Sequence, residues 1–343
     1  MFLSIIIPAY NPDPGDLFCL LSSIRTQLAV DFSEIEVLIV NDAGRKIDES
    51  TFKLLSPLRV QVINRRENGG PGMARQTGIE AARGEFLMFC DCDDVLHNVG
   101  VLSAIALELQ GEPCDLLVSK WLEELKSDDG RMVYINHDPD WTWMHGKVFR
   151  RSFILGNHLQ HHPDLRIHED SYFLNVLSAC LPRMKYSELT SYVWRWHDGT
   201  ITRRNNAEYS FSSVPEFLRA VGMADEVIEA AHPEMMPERV VYRTCYLYHM
   251  LHSAPWQERG KVGYLKSAES TFRTRVAPYW HYWAEAPEDL KLRIYRDTMH
   301  FLGDTIPEES LPSWIARVDP GEAARKARKP SRGRAMLDTL RRA

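Results

Sequence analysis

The sequence predicts an α/β fold, a doubly wound and mostly parallel sheet followed by a helical C-terminal extension. Three observations carry that prediction. Short runs of Ile, Val, Leu and Phe alternate with segments of helical period through the first half of the chain, and each run ends in polar or turn residues. Beyond about residue 205 the pattern changes to helix-like segments rich in aromatics. Strands alternating with helices are the order of a parallel sheet wound on both faces, and such sheets bind ligands beyond the carboxyl ends of their strands.

Taken in order, Leu3 to Ile7 reads as the first strand and runs into Pro8-Ala9-Tyr10-Asn11. Asp16 then reads as the N-cap of a helix whose stripe is Leu17, Leu20, Leu21, Ile24 and Leu28. Glu36 to Val40 is the second strand, ending in Asn41-Asp42-Ala43-Gly44, and Val60 to Asn64 the third. The breaker Gly69-Gly70-Pro71-Gly72 precedes a helix over Met73 to Ala82. Glu85 to Cys90 is the fourth strand, delivering Asp91-Cys92-Asp93-Asp94, with a helix beginning near Val99. Later helices are expected over Val214 to Ala231, Val240 to His252 and Glu288 to Phe301. The domain division follows: 1–205 for the α/β domain, 206–315 for the helical region and 316–343 for a basic, flexible tail.

With 343 residues, 44% apolar and 26% charged, the composition excludes a disordered or fibrous chain. A net charge of −6 argues against a nucleic-acid partner, although the charge is uneven. From Arg317 onward nine cations face three acids, a tail of +6 that leaves −12 on the rest. That tail reads as a solvated terminus; its alternatives are a basic amphipathic contact with an anionic membrane and a dock on the acidic body of the same or another subunit in a homo-oligomer. The six cysteines form no C-x-x-C pair, which suits reduced, packed thiols and no zinc site. No leader and no apolar run of spanning length is read, so the expected location is cytoplasmic, peripheral to the inner face of a membrane if the tail binds there.

Asp91, Asp93 and Asp94 crowd together directly after a buried strand. Carboxylates this close repel one another, and a hard divalent cation such as Mn²⁺ or Mg²⁺, together with phosphate oxygens, relieves the repulsion. A solvated turn capping the next helix is the bland alternative.

At this point the chain resembles family 2 of the glycosyltransferases, nucleotide-sugar enzymes of the Rossmann-like GT-A fold, over residues 1–205. The landmarks are SIIIPAYN at Ser4 to Asn11, EVLIVNDA at Glu36 to Ala43 and ENGGPGMARQTGIEAARGEFLMFCDCDD at Glu67 to Asp94. GKVFRRSF at Gly146 to Phe153, HEDSYF at His168 to Phe173 and YVWRWHDGTIT at Tyr192 to Thr202 follow in the family's order. The NGGPGxxR segment looks most like that of bacterial wall teichoic acid and polysaccharide enzymes.

The resemblance implies an inverting, metal-dependent transfer from a UDP-sugar donor to a hydroxyl of a glycan or polymer acceptor. It assigns the nucleotide-sugar site to Pro8, Tyr10, Asn11, Asp42, Arg75, Asp91, Cys92, Arg195, His197 and Thr202, with Tyr10 against the base and Asp42 on the uracil N3. Asp93 binds the metal, with His197 as metal ligand or phosphate donor, and Asp94 supports the loop. Asp170 corresponds to the catalytic base, with Glu169 beside it, one of the two also serving as a helix N-terminal acid.

Other residues have plainer readings. Trp141, Trp143 and His145 suit an acceptor wall or, more commonly, a buried aromatic cluster. Trp280, His281, Tyr282 and Trp283 read as core or interface, His161-His162 as an exposed loop pair, and the thiols of Cys90 and Cys92 as packing. A nucleotidyltransferase would need a basic, Gly-rich turn after the first strand, and PAYNPDPGD has no Lys or Arg. A non-catalytic nucleotide-binding adaptor is disfavoured by the presence of both Asp93 and Asp170.

Overall fold

The computed structural model describes residues 1–127, 129–197, 213–253, 262–302 and 305–318. It divides into two compact units, Met1–Asp198 and Gly199–Ala343. The expected boundary near residue 205, and Thr202, lie outside the described residues.

The first unit is built on one sheet. Its strands are β1 (Leu3–Ala9), β2 (Ile35–Asn41), β3 (Arg59–Asn64), β4 (Phe86–Phe89), β5 (Val95–Leu96), β6 (Leu116–Lys126), β7 (Met132–His137), β8 (Lys147–Arg150) and β9 (Met184–Trp194). They lie in the order β3-β2-β1-β4-β8-β6-β9-β5, with β7 paired to β6. The half β3-β2-β1-β4 is parallel throughout, as the continuous apolar runs imply. Beyond β4 the sheet changes character: β8 pairs antiparallel to both β4 and β6, and β5 runs antiparallel to β9, while β6 and β9 are parallel. Register matters for function. Ala9 is level with Asn41 and Ile6 with Phe89, so the polar segments after β1, β2 and β4 emerge along one edge.

Helices cover both faces. α1 (Pro14–Arg25) buries Leu17, Leu20, Leu21 and Ile24 against one face, joined by α3 (Val101–Glu108) through Val101, Leu102 and Ile105. Full burial of each such side chain contributes about 1.5–3 kcal/mol, enough to fix which way the helix faces. On the other face α2 (Pro71–Ala81), α4 (Arg151–Gly156) and α5 (Glu169–Ala179) bring Ala74, Ile79, Ile154, Phe173, Leu174 and Leu177 onto Ile6, Leu38 and Phe149.

Several expectations are corrected here. Asp13, not Asp16, caps α1, accepting from Gly15 N at 2.8 Å and Asp16 N at 3.1 Å, because Pro14 is suited to the first helical turn. The stripe ends at Ile24; Thr26 closes the helix and Leu28 is 63% exposed. His161 is buried rather than exposed, stacked on Phe173 at 4.4 Å, and His162 meets Tyr172 edge-on at 5.3 Å, because α5 turns its aromatics toward that loop.

The second unit comprises α6 (Val214–Ala231), α7 (Met236–Leu251), α8 (Val262–Arg275), α9 (Trp280–Glu285), α10 (Glu288–Asp297) and α11 (Leu311–Val318) among its described residues. Trp314 is fully buried against Tyr248 and Phe272, and Trp280 stacks on Trp283 at 5.2 Å; of that aromatic run only Trp280 is core, His281 being exposed and Tyr282 and Trp283 half-buried. Residues 316–318, read as the start of the flexible tail, instead finish α11. Val318 is buried and Arg317 pairs with Glu269 and Glu309 at 2.8 Å each. Residues 319–343 lie outside the described residues, among which no helix is long and apolar enough to cross a membrane.

Candidate active site

The loop after β4 is held from below. Asp94 is 1% exposed; its Oδ2 accepts from the Tyr192 hydroxyl at 2.7 Å and its Oδ1 from Arg195 N at 2.8 Å. The same tyrosine oxygen accepts from Asp91 N at 2.9 Å, so one β9 side chain fixes both ends of the turn. Behind it a ladder of rings stiffens the wall: His145 lies parallel to Tyr192 at 5.0 Å and to Trp143 at 5.9 Å, and Trp121 is edge-on to His145 at 4.5 Å. Trp143 and His145 therefore serve as support, while Trp141 reaches away to the Tyr186 hydroxyl at 3.2 Å.

Asp93 is different, since its carboxylate accepts no hydrogen bond from any other described residue. Burial and the charge of Asp91 push its carboxyl up, with His197 opposing. A hard oxygen donor crowded by like charge and short of protein donors fits a divalent cation. Among the described residues no group of three or more His, Cys, Asp or Glu side chains is gathered to hold a metal, so substrate oxygens would have to complete its shell. Burial and the three acids also raise the Cys92 thiol, leaving it a neutral packing group against the core, as read from the sequence.

Arg195 and His197 stand beside the loop on an acid that sequence reading used only for the helix. Asp16 takes Arg195 Nη1 at 3.1 Å and faces His197 Nδ1 at 3.6 Å. The other ring nitrogen of His197, Nε2, lies 2.8 Å from the Asp93 carbonyl and donates to it. That leaves Nδ1, which at 3.6 Å from Asp16 is beyond hydrogen-bond range, as the nitrogen that can meet a phosphate oxygen or a metal.

At the base-binding edge Tyr10 is 58% exposed and Asn11 Oδ1 accepts from Arg45 N at 2.7 Å. Pro8 is buried within β1, level with Val40. Asp42 departs from expectation. It is 2% exposed, and its oxygens accept from Gly69 N at 3.0 Å, from Gly70 N at 2.7 Å and from the Arg65 guanidinium. Those donors satisfy the carboxylate, so it shapes the turn into α2 and is not open to a uracil N3. Gly70 has φ +83, the left-handed backbone that this turn requires.

Arg75 also departs from its nucleotide-side assignment. It is 5% exposed, with Nη1 on Glu169 Oε1 and Nη2 on Asp91 Oδ1, both at 2.7 Å. The guanidinium ties the loop after β4 to the start of α5. Close packing enforces the geometry, since a Cβ at Gly72 would lie 2.6 Å from Glu169 Cγ. Burial and Asp170 push Glu169 up to about 7 against the pull of Arg75. Glu169 is thereby a buried acid that Arg75 ties to the loop after β4. His161, pushed down to about 3 by burial and Arg75, is a neutral neighbour. Asp170, on the same first turn, is less buried and accepts from Ser171 N at 2.7 Å. His168, at φ +58, sets the direction in which that turn starts.

The arrangement thus brings Asp91, Asp93, Arg195 and His197 to one pole and Asp170 to another, joined through Arg75. Asp16, Arg65 and Tyr192 were missed as functional residues.

A model of the family described as Glycosyl transferase family 2 matches residues 4–165. The Escherichia coli protein named uncharacterized glycosyltransferase YibD is 25% identical over 228 residues, 59% of this chain and 63% of its own length. The poly(ribitol-phosphate) beta-glucosyltransferase of Bacillus spizizenii is 26% identical over 249 residues, 67% of this chain and 37% of its own length. The match thus spans less than two thirds of either relative. Among solved structures, S. aureus TarS 1-349 in complex with UDP aligns with a TM-score of 0.52 at 20% identity, over 88% of this chain and 90% of that one. Mannosyltransferase PcManGT from Pyrobaculum calidifontis, in complex with GDP-Man and Mn²⁺, aligns with a TM-score of 0.50 at 15% identity, over 88% and 84%. The fold is α/β of the GT-A kind with a helical C-terminal region.

Proposed function

We propose that this chain, whose residues 4–165 match the model of glycosyl transferase family 2, is a member of that family that moves a sugar from a UDP-sugar to a hydroxyl of a glycan or polymer, with inversion and with a divalent metal. The observation that carries the reading is the loop after β4, where the Asp93 carboxylate accepts from no other described residue while Tyr192 holds its neighbours. UDP as the nucleotide is supported by the TarS complexes with UDP and UDP-GlcNAc, and a polymer acceptor by the names of relatives such as the poly(ribitol-phosphate) enzymes.

In this mechanism Tyr10 lies against the base and Asp91 near the ribose. Asp93 holds the metal, which when bound supplies positive charge to the diphosphate, with Mn²⁺ favoured by the PcManGT complex and Mg²⁺ the alternative. Arg195 and His197 donate to the departing diphosphate, exchanging the Asp16 carboxylate for phosphate oxygens. On the other side Asp170 accepts the acceptor hydroxyl's proton as that oxygen attacks C1 from the face opposite UDP. A cytoplasmic location belongs to the same proposal.

Calorimetry tests the donor half. Wild type is expected to bind UDP about tenfold or more tighter with Mn²⁺ than with EDTA, and Asp93→Ala to lose that difference while keeping its melting temperature, because the side chain supports no neighbour. Equal UDP affinity with and without metal in the wild type would remove the metal from the mechanism.

A further inference from the structure

Asp16 lies half-buried in the first turn of α1, where Asp13 accepts the leading amides, so capping leaves its carboxylate unspent. Leu17 and Leu20, buried in the core, fix the backbone on which it stands. An acid in a first helical turn is favoured by the helix dipole alone and needs no partner. This one faces two, both from the segment after β9. Its Oδ1 accepts from Arg195 Nη1 at 3.1 Å, and its Oδ2 lies 3.6 Å from His197 Nδ1.

That segment is also held without Asp16. Arg195 N donates to Asp94 Oδ1 at 2.8 Å, Arg195 Nη1 lies 3.4 Å from the Asp93 carbonyl, and His197 Nε2 donates to the same carbonyl at 2.8 Å. These contacts keep both side chains beside the loop after β4, so what Asp16 adds is negative charge. A carboxylate on a guanidinium makes the same kind of charge-assisted hydrogen bond as a phosphate oxygen does. The Asp16 carboxylate therefore stands on the group that a diphosphate would use.

We propose that Asp16 is a built-in anion that holds Arg195 while the donor site is empty and competes with the donor's diphosphate for it. The inference rests on the reading of Arg195 as a diphosphate ligand. Donor binding then includes breaking the Arg195–Asp16 pair, and UDP leaves as the carboxylate recovers the guanidinium. Asp16 thus weakens the hold on the nucleotide and favours turnover over retention of the product. It acts through Arg195, as a positioning residue, and touches no reacting atom.

Calorimetry on the full chain at saturating Mn²⁺ tests this with UDP and with uridine, which shares the base and ribose but has no phosphate. Asp16→Asn is expected to bind UDP about fivefold tighter than wild type and uridine equally well. The sign separates the proposal from a structural role, because loss of a merely structural contact would weaken UDP. In an Arg195→Gln background the same Asp16→Asn change should leave UDP affinity within about twofold, since the pair is already gone. Unchanged or weaker UDP binding by Asp16→Asn, or a gain that persists in full without Arg195, would overturn the competition; the diphosphate reading of Arg195 stands in that case if Arg195→Gln alone weakens UDP. Full UDP affinity in Arg195→Gln would overturn that reading, and the competition with it.

Discussion

Replacing Asp170 with asparagine is expected to slow transfer by about a hundredfold or more while changing UDP affinity less than about twofold. The amide keeps the shape and the contact with Ser171 N but cannot take a proton at neutral pH. Its position explains the separation of effects: the residue lies at the start of α5, and the donor loop is tied to Glu169, not to it. Steady-state rates over acceptor concentration, beside calorimetry with UDP, measure both quantities. A loss of UDP affinity in proportion to the rate would move Asp170 to the donor site.

Arg75→Met is expected to cost about 3–5 kcal/mol of folding stability, the usual result of removing one partner from a buried pair. Glu169 would be left buried without its counter-charge, and Asp91 would lose its tie to α5. The loss should depend on pH with a definite sign. Glu169 is raised from 4.5 to about 7 even with Arg75 present, so without it the native carboxyl holds its proton to still higher pH. The folded variant then binds a proton that the unfolded chain releases above about 4.5, and its stability falls as pH rises through the neutral range. Urea denaturation at pH 6 and pH 8 should find the variant closer to wild type at pH 6. An equal deficit at both would mean that Glu169 is not the group left stranded.

How much of this was legible beforehand follows from where the interacting residues lie in the chain. The parallel half of the sheet was readable because β1, β2 and β4 are unbroken apolar runs closed by turn residues, a pattern that follows from burial on both faces. The antiparallel half was not. LLVSKWLEELK, MVYINH and MKYSELTSYVW mix apolar and polar residues because parts of these strands face solvent. The acidic loop announced itself by crowding, whereas its support did not: Tyr192 lies 98 residues from Asp94, and Arg195 lies 179 from Asp16. Arg75 was placed on the nucleotide by the family resemblance. The carboxylates that claim it come from 16 and 94 residues away, and only the folded chain brings them together.

The measurement that bears most directly on the central claim is UDP release from a panel of UDP-sugars with Mn²⁺, with and without glycan and polymer acceptors, followed by NMR of the anomeric proton in the product. The account predicts release that requires acceptor, stops in EDTA, and yields a sugar whose anomeric configuration is opposite to that of the donor. Undiminished transfer in EDTA, or a product that retains the donor's configuration, would contradict it.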